Sequence, residues 1–173
     1  MKKFINNPQN LTEELLEGYA AANADLVSLE SGRLIVNRTL DSADRVTVVG
    51  MGGSGHEPAP IGFVGEGMLD VSVSGDIFLA PEDGIARRAL ERADRGRGVI
   101  FIVLNHESDL LTGELATKAC RARGIDVREI VTQEDISCSP RSQADQRRGL
   151  VGCILLYKIV GAAAAAGKSI DEV

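Results

Sequence analysis

The strongest candidates for proton chemistry are an imidazole and a carboxylate that each stand just past the end of a hydrophobic run. His56 lies in Gly50-Met-Gly-Gly-Ser-Gly-His-Glu-Pro58, directly after the β-branched stretch Arg45-Val-Thr-Val-Val49. Asp109 closes Asn105-His-Glu-Ser-Asp, which follows Gly98–Leu104, the most hydrophobic run of the chain. Imidazole titrates near neutral pH, and a histidine within reach of a carboxylate forms a general acid/base pair. Asp109 can pair with His56 if the two runs are neighbouring strands. The competing reading makes Asp109 the N-cap of the next helix, and residue chemistry alone weighs the two about equally. His106 and Glu107 are acid/base candidates of lower rank. Asp76, in Gly75-Asp-Ile-Phe78, stands at a third strand end and reads first as a turn residue.

The glycines before His56 admit more than one reading. Gly50, Gly52 and Gly55 fit the spacing of a dinucleotide-binding loop. That reading needs a helix opening at the third glycine, and Pro58 and Pro60 follow almost at once. No Lys-Ser/Thr pair ends the loop, so it is not a phosphate-binding Walker loop. Two readings remain: a sharp turn only, or bare backbone amides of the loop approaching a small polar ligand.

These residues need a scaffold that brings strand ends together, and the hydrophobic pattern supplies one. Leu11, Leu15, Leu16 and Tyr19 have helical spacing, which predicts a helix from Leu11 to about Asn23. Strands are expected at Leu34–Thr39, Arg45–Gly50, Val71–Phe78, Gly98–Asn105 and Asp126–Val131. Helices are expected at Pro81–Arg92, from Asp109 or Thr112 to Arg123, and at Gly149–Ala166. The polar stretch Glu134–Arg148 reads as a loop, and Lys168–Val173 as the start of a further helix. Strands alternating with helices imply an α/β fold, a mostly parallel sheet flanked by helices, in a single domain over residues 1–173. Ligands of such sheets bind beyond the C-terminal strand ends, where His56 and Asp109 stand.

Composition narrows the partners. A net charge of −6 argues against nucleic acid and anionic membrane as main partners. Cys120, Cys138 and Cys153 are widely spaced and form no zinc-ligand pattern, so no metal site is expected. An odd number of cysteines, with no secretory leader, points to reduced thiols in the cytoplasm. The apolar stretch Leu150–Ala166 is interrupted by Lys158 and is too short for a membrane span.

The motifs together resemble a known family. Gly52-Gly-Ser-Gly-His-Glu-Pro58 is similar to the hallmark loop of dihydroxyacetone kinases. Gly62-Phe-Val-Gly-Glu-Gly-Met-Leu69, Gly75-Asp-Ile-Phe78, Arg147-Arg-Gly-Leu150 and Lys158-Ile-Val-Gly-Ala-Ala-Ala-Ala-Ala-Gly167 follow in the family's order, and Met1-Lys-Lys-Phe-Ile-Asn-Asn7 is also family-like. The resemblance implies the first half of a two-domain subunit that binds dihydroxyacetone or a related short ketose. Gly53, Ser54, Gly55, His56 and Asp109 would contact the substrate, with His56 and Asp109 as the acid/base pair activating its hydroxyl. No cofactor would be held by this chain. ADP or ATP with magnesium would sit on a nucleotide-binding kinase subunit or domain, and further association as a homodimer or with a complementary second half is expected.

Three departures from the family pattern stand out. The family's second half carries a histidine that bonds covalently to the ketone carbon, and neither His56 nor His106 stands at that place. Leu104 replaces a common lysine. His106 and Ser108 replace an aromatic residue and a glycine. The resemblance therefore also implies that the isolated chain does not turn over alone, or that it is a binding or regulatory module on the same fold.

Overall fold

The computed structural model describes residues 2–173. One six-stranded mixed sheet forms the middle layer, with strands β1 (Val27–Glu30), β2 (Leu34–Asn37), β3 (Thr47–Ser54), β4 (Val71–Ile77), β5 (Val99–Leu104) and β6 (Val127–Thr132) in spatial order β1-β2-β4-β3-β5-β6. The pairings β4–β3, β3–β5 and β5–β6 are parallel, and β1–β2 and β2–β4 are antiparallel. The expected α/β fold is present; the antiparallel edge is the addition, and it is a common one for large sheets. β1 was not expected. It forms a hairpin with β2 through Ser31 and Gly32, both at positive φ (49° and 69°), the backbone that a tight hairpin turn requires.

The central strands alternate their side chains between two apolar layers. Val49, Met51, Val71, Val73, Phe101 and Val103 pack beneath α2 (Asp83–Ala93) and α3 (Glu107–Arg121). Val48, Leu69, Ile100 and Ile102 face the other way, toward Leu16 of α1 (Leu11–Ala22) and Tyr157 of α4 (Gly152–Ala165). Both faces of β3 and β5 are covered, which is why these segments read as unbroken hydrophobic runs.

Several boundaries differ from the sequence expectation. β3 continues past Gly50 through the glycines to Ser54, because they pair with β4 across Gly52–Ser74 and Gly53–Gly75. Lys168–Val173 forms one hydrogen-bonded turn, in which Ser169 N–H and Oγ both donate to the Glu172 carboxylate. The expected loop Glu134–Arg148 contains a short 3-10 stretch, Arg141–Gln146.

The opposite end of the sheet from the strand-end motifs is tied by a buried ion pair. Asp70 is fully buried just before β4, and Arg45 donates to both its oxygens at 2.7 and 2.9 Å. The same carboxylate accepts Val48 N–H at 2.9 Å, so it links β3 to β4 at their starts.

Candidate active site

β3, β4 and β5 end side by side, and the segments beyond them line one cavity of about 630 Å³. Gly53 and His56 come from the end of β3, Phe78 and Leu79 from beyond β4, and His106 and Asp109 from beyond β5. The start of α4 closes the far side with Val151, Cys153 and Tyr157. The neighbour relation on which the His56–Asp109 pairing depended is present, since β3 and β5 are directly paired.

Two of the five residues expected at the ligand do not line this cavity. Ser54 is buried, and its hydroxyl donates to the Gly75 carbonyl at 2.8 Å. Gly55, at φ 96°, donates its N–H to Glu57 Oε2 at 2.9 Å. Both hold the turn that presents His56. The chain then passes Pro58 and Pro60 into a 3-10 turn at Ile61–Phe63, so the glycines open no α-helix and the dinucleotide reading fails on geometry. Asp76 is turned away to the surface, paired with Arg33 at 2.7 Å.

Asp109 is not an N-cap. α3 starts at Glu107 with His106 in the cap position, so Asp109 belongs to the first turn, where a negative charge is favoured by the helix dipole. Its Oδ1 is buried and has no hydrogen-bond partner among the described residues. Burial pushes the Asp109 carboxyl above its ordinary range, opposed by His106, then by His56, then by its own backbone N–H. Both imidazoles thus act on one half-buried carboxylate.

His106 has a second attachment. A ring nitrogen, Nε2, lies 2.8 Å from the Gly149 carbonyl, and the neighbouring Asn105 amide donates to the carbonyls of Asp145 and Arg147. The loop after β5 therefore holds the segment leading into α4. Gly149 is required there, because a Cβ on it would fall 2.7 Å from Asn105 N and closer still to Thr132 Oγ1. On the other side, Glu134 Oε1 accepts Gly152 N–H at 2.8 Å, satisfying the start of α4. The α4 wall was missed from sequence; its one signal was Tyr157, a lone polar-tipped ring inside an Ala/Leu helix. Tyr157 is buried, and that burial raises its phenol well above the usual value.

The raised Asp109 carboxyl has a consequence for stability. A carboxylate that protonates more readily in the folded than in the unfolded chain weakens the fold as pH rises through the window above its unfolded value near 3.8. Asp109→Asn is therefore expected to melt above the wild-type protein at pH 7, by about 2–4 °C per kcal/mol relieved. The gain should shrink as pH falls toward 4, and calorimetry across pH 4–8 checks it.

Comparison with known proteins decides the family. The Dak1 domain matches residues 17–173. This chain belongs to the Dak1 domain family. The Dak1 chain is 38% identical over 172 residues to the dihydroxyacetone-binding subunit DhaK of a phosphotransferase-dependent dihydroxyacetone kinase of Listeria innocua, covering 99% of this chain and 52% of that protein. It is 39% identical over 171 residues to the DhaKLM operon coactivator DhaQ of Lactococcus lactis, again covering 99% and 52%. The crystal structure of the dihydroxyacetone kinase of C. freundii superposes with a TM-score of 0.90 at 33% identity, over 98% of this chain and 32% of that one. The Dak1 chain thus spans about half the length of the bacterial relatives it matches. None of its helices among the described residues is long and apolar enough to cross a membrane.

Proposed function

We propose that this Dak1 chain is the ketose-binding component of a dihydroxyacetone-type kinase, the first half of a two-domain subunit. The observation that carries this reading is Asp109 Oδ1, buried without a partner among the described residues and in the same cavity as His56. An orphaned carboxylate oxygen is costly unless a ligand donor meets it, and a short ketose offers hydroxyl donors. As the ketose hydroxyl oxygen bonds to phosphorus, its proton passes to the His56/Asp109 pair, and the donor oxygen leaves with the electrons of the broken P–O bond. The nucleotide, ADP or ATP with magnesium, sits on a partner subunit or domain. In the phosphotransferase-dependent variant the ADP is recharged in place. The reading places the protein in the cytoplasm, in glycerol-linked metabolism.

The outer face of α4 bears on assembly. Val151, Leu155 and Ile159 recur every four residues and are 71%, 68% and 63% exposed, an apolar stripe running from the cavity mouth along the helix. A complementary second half, or a second copy in a homodimer, covers this stripe. Sedimentation should show self-association or capture of a separately expressed second half; a clean monomer at high concentration that ignores the second half counts against it.

The second reading is a regulatory ketose-binding module without turnover, favoured by the 39% identity to the coactivator DhaQ. The two readings separate in one assay. Dihydroxyacetone and erythrulose are offered with the nucleotide subunit and the second half present. Turnover that disappears in His56→Ala and Asp109→Ala supports the kinase component; ketose binding without turnover supports the module.

A further inference from the structure

The aromatic ring beside His56 occupies a backbone position that disfavours it. β4 ends at Ile77, and Phe78 follows with φ 58°. The other described non-glycine residue at positive φ is Ser31, in the hairpin turn. A bulky residue in the left-handed region is strained, and such strain collects at functional sites. Phe78 is also 65% exposed, so burial returns little for the strain.

The surroundings are shaped to keep the ring where it is. Phe78 N–H donates to the Ser54 carbonyl at 2.8 Å, and Leu79 N–H to the Asp76 carbonyl at 3.0 Å. A Cβ at Gly53 would stand 2.6 Å from Leu79 N and 2.9 Å from the Phe78 carbonyl carbon. One at Gly55 would stand 2.9 Å from the Phe78 ring. The bare backbone of Gly53 and Gly55 therefore makes room for this turn. What the arrangement secures is a single aromatic contact: the Phe78 and His56 rings meet edge to face, with centroids 5.0 Å apart and planes at 63°. His56 is exposed, and none of the hydrogen bonds among the described residues engages its imidazole. The Phe78 ring is the aromatic contact of that imidazole among the described residues.

We infer that Phe78 is a positioning residue for His56, fixing the plane of the imidazole at the cavity it shares with Asp109. The inference rests on His56 being the acid/base group of the proposed function. An exposed side chain with no hydrogen bond samples several rotamers, and a misdirected proton acceptor loses rate rather than affinity.

Backbone preference makes the test selective. Glycine adopts the left-handed region readily, so Phe78→Gly relieves the strain while removing the ring. Its melting temperature should equal or exceed that of the wild type. Phe78→Leu removes the ring and keeps a side chain; Phe78→Tyr keeps the ring. The chain has two histidines, so its imidazole proton NMR signals are few, and a His106→Gln variant assigns them. The His56 signals should be displaced by the ring in the wild type and in Phe78→Tyr, and should move to unperturbed positions in Phe78→Gly and Phe78→Leu. In the reconstituted kinase assay, kcat should fall about 10-fold or more in both ring-less variants, with little change in KM, and Phe78→Tyr should restore it. Unmoved His56 signals in the ring-less variants, or an unchanged kcat, would overturn the inference. A wild type that binds ketose without turnover overturns the kinase reading instead, and the NMR signals then decide the positioning of His56 by themselves.

Discussion

His56→Ala and Asp109→Ala should each lower ketose phosphorylation by about 10²–10⁴-fold in the reconstituted system, the range for loss of a positioned acid or base. The two groups line one cavity, and His56 is among the groups that oppose the rise of the Asp109 carboxyl. They should therefore behave as one unit, and the double variant should be scarcely slower than the worse single one. The fold gives this result an internal control. His56 is exposed and makes no hydrogen bond through its ring among the described residues, so its removal should leave the melting temperature unchanged. Asp109 carries a buried oxygen with no partner among the described residues, so replacing it relieves a penalty. A loss of rate in a protein at least as stable as the parent cannot be assigned to unfolding. Near-normal turnover in either variant would remove that residue from the chemistry, and additive losses would separate the two roles.

The central strands and the site motifs were legible because local and global preferences agree there. Gly98–Leu104 is apolar at every position, and both its faces are covered in the fold. His56 and Asp109 could be placed at strand ends, since a hydrophobic run that stops before polar residues marks the sheet's edge. The β1–β2 hairpin was not recognised: Val27–Glu30 is only four residues long, and Ser31-Gly32 is a weak hairpin signal beside Asn-Gly or Asp-Gly. The glycines of β3 misled the boundary for a different reason. They read as a loop by propensity, yet they remain in the sheet because they pair with β4, and Gly53 leaves room there for the turn at Phe78–Leu79. The roles of Ser54 and Gly55 were out of reach as well, because their partners, Gly75 and Glu57, are set by inter-strand register and by turn geometry. The α4 wall depends on Gly149, Asn105 and Glu134, which meet only in three dimensions.

The largest effect on stability should come from the end of the sheet remote from the cavity. Asp70→Ala is expected to destabilise the fold by about 3–5 kcal/mol, because it strands a guanidinium against the core rather than merely deleting a contact. Arg45 is only 19% exposed at its side chain and spends two donors on Asp70. Val48 N–H, buried in β3, would lose its acceptor at the same time. Domains of this kind have about 5–15 kcal/mol in total, so the variant would lose a large share of its folded population on heating. The control is the paired replacement Arg45→Met with Asp70→Leu. It removes both charges together and should recover the part of the loss that comes from the stranded guanidinium, leaving the cost of the unpaired Val48 N–H, since an apolar pair is often as stable as a buried ion pair. Urea unfolding of the wild type, Arg45→Met, Asp70→Leu and the double variant supplies the coupling energy directly. A midpoint for Asp70→Ala within error of the wild type would show that water reaches Arg45 freely and that the pair contributes nothing. Because Asp70 ties β3 and β4 at their starts while His56 and Phe78 stand beyond their ends, residual activity per folded molecule should stay near the parental value. Stability and chemistry in this sheet are then held at opposite ends of the same two strands.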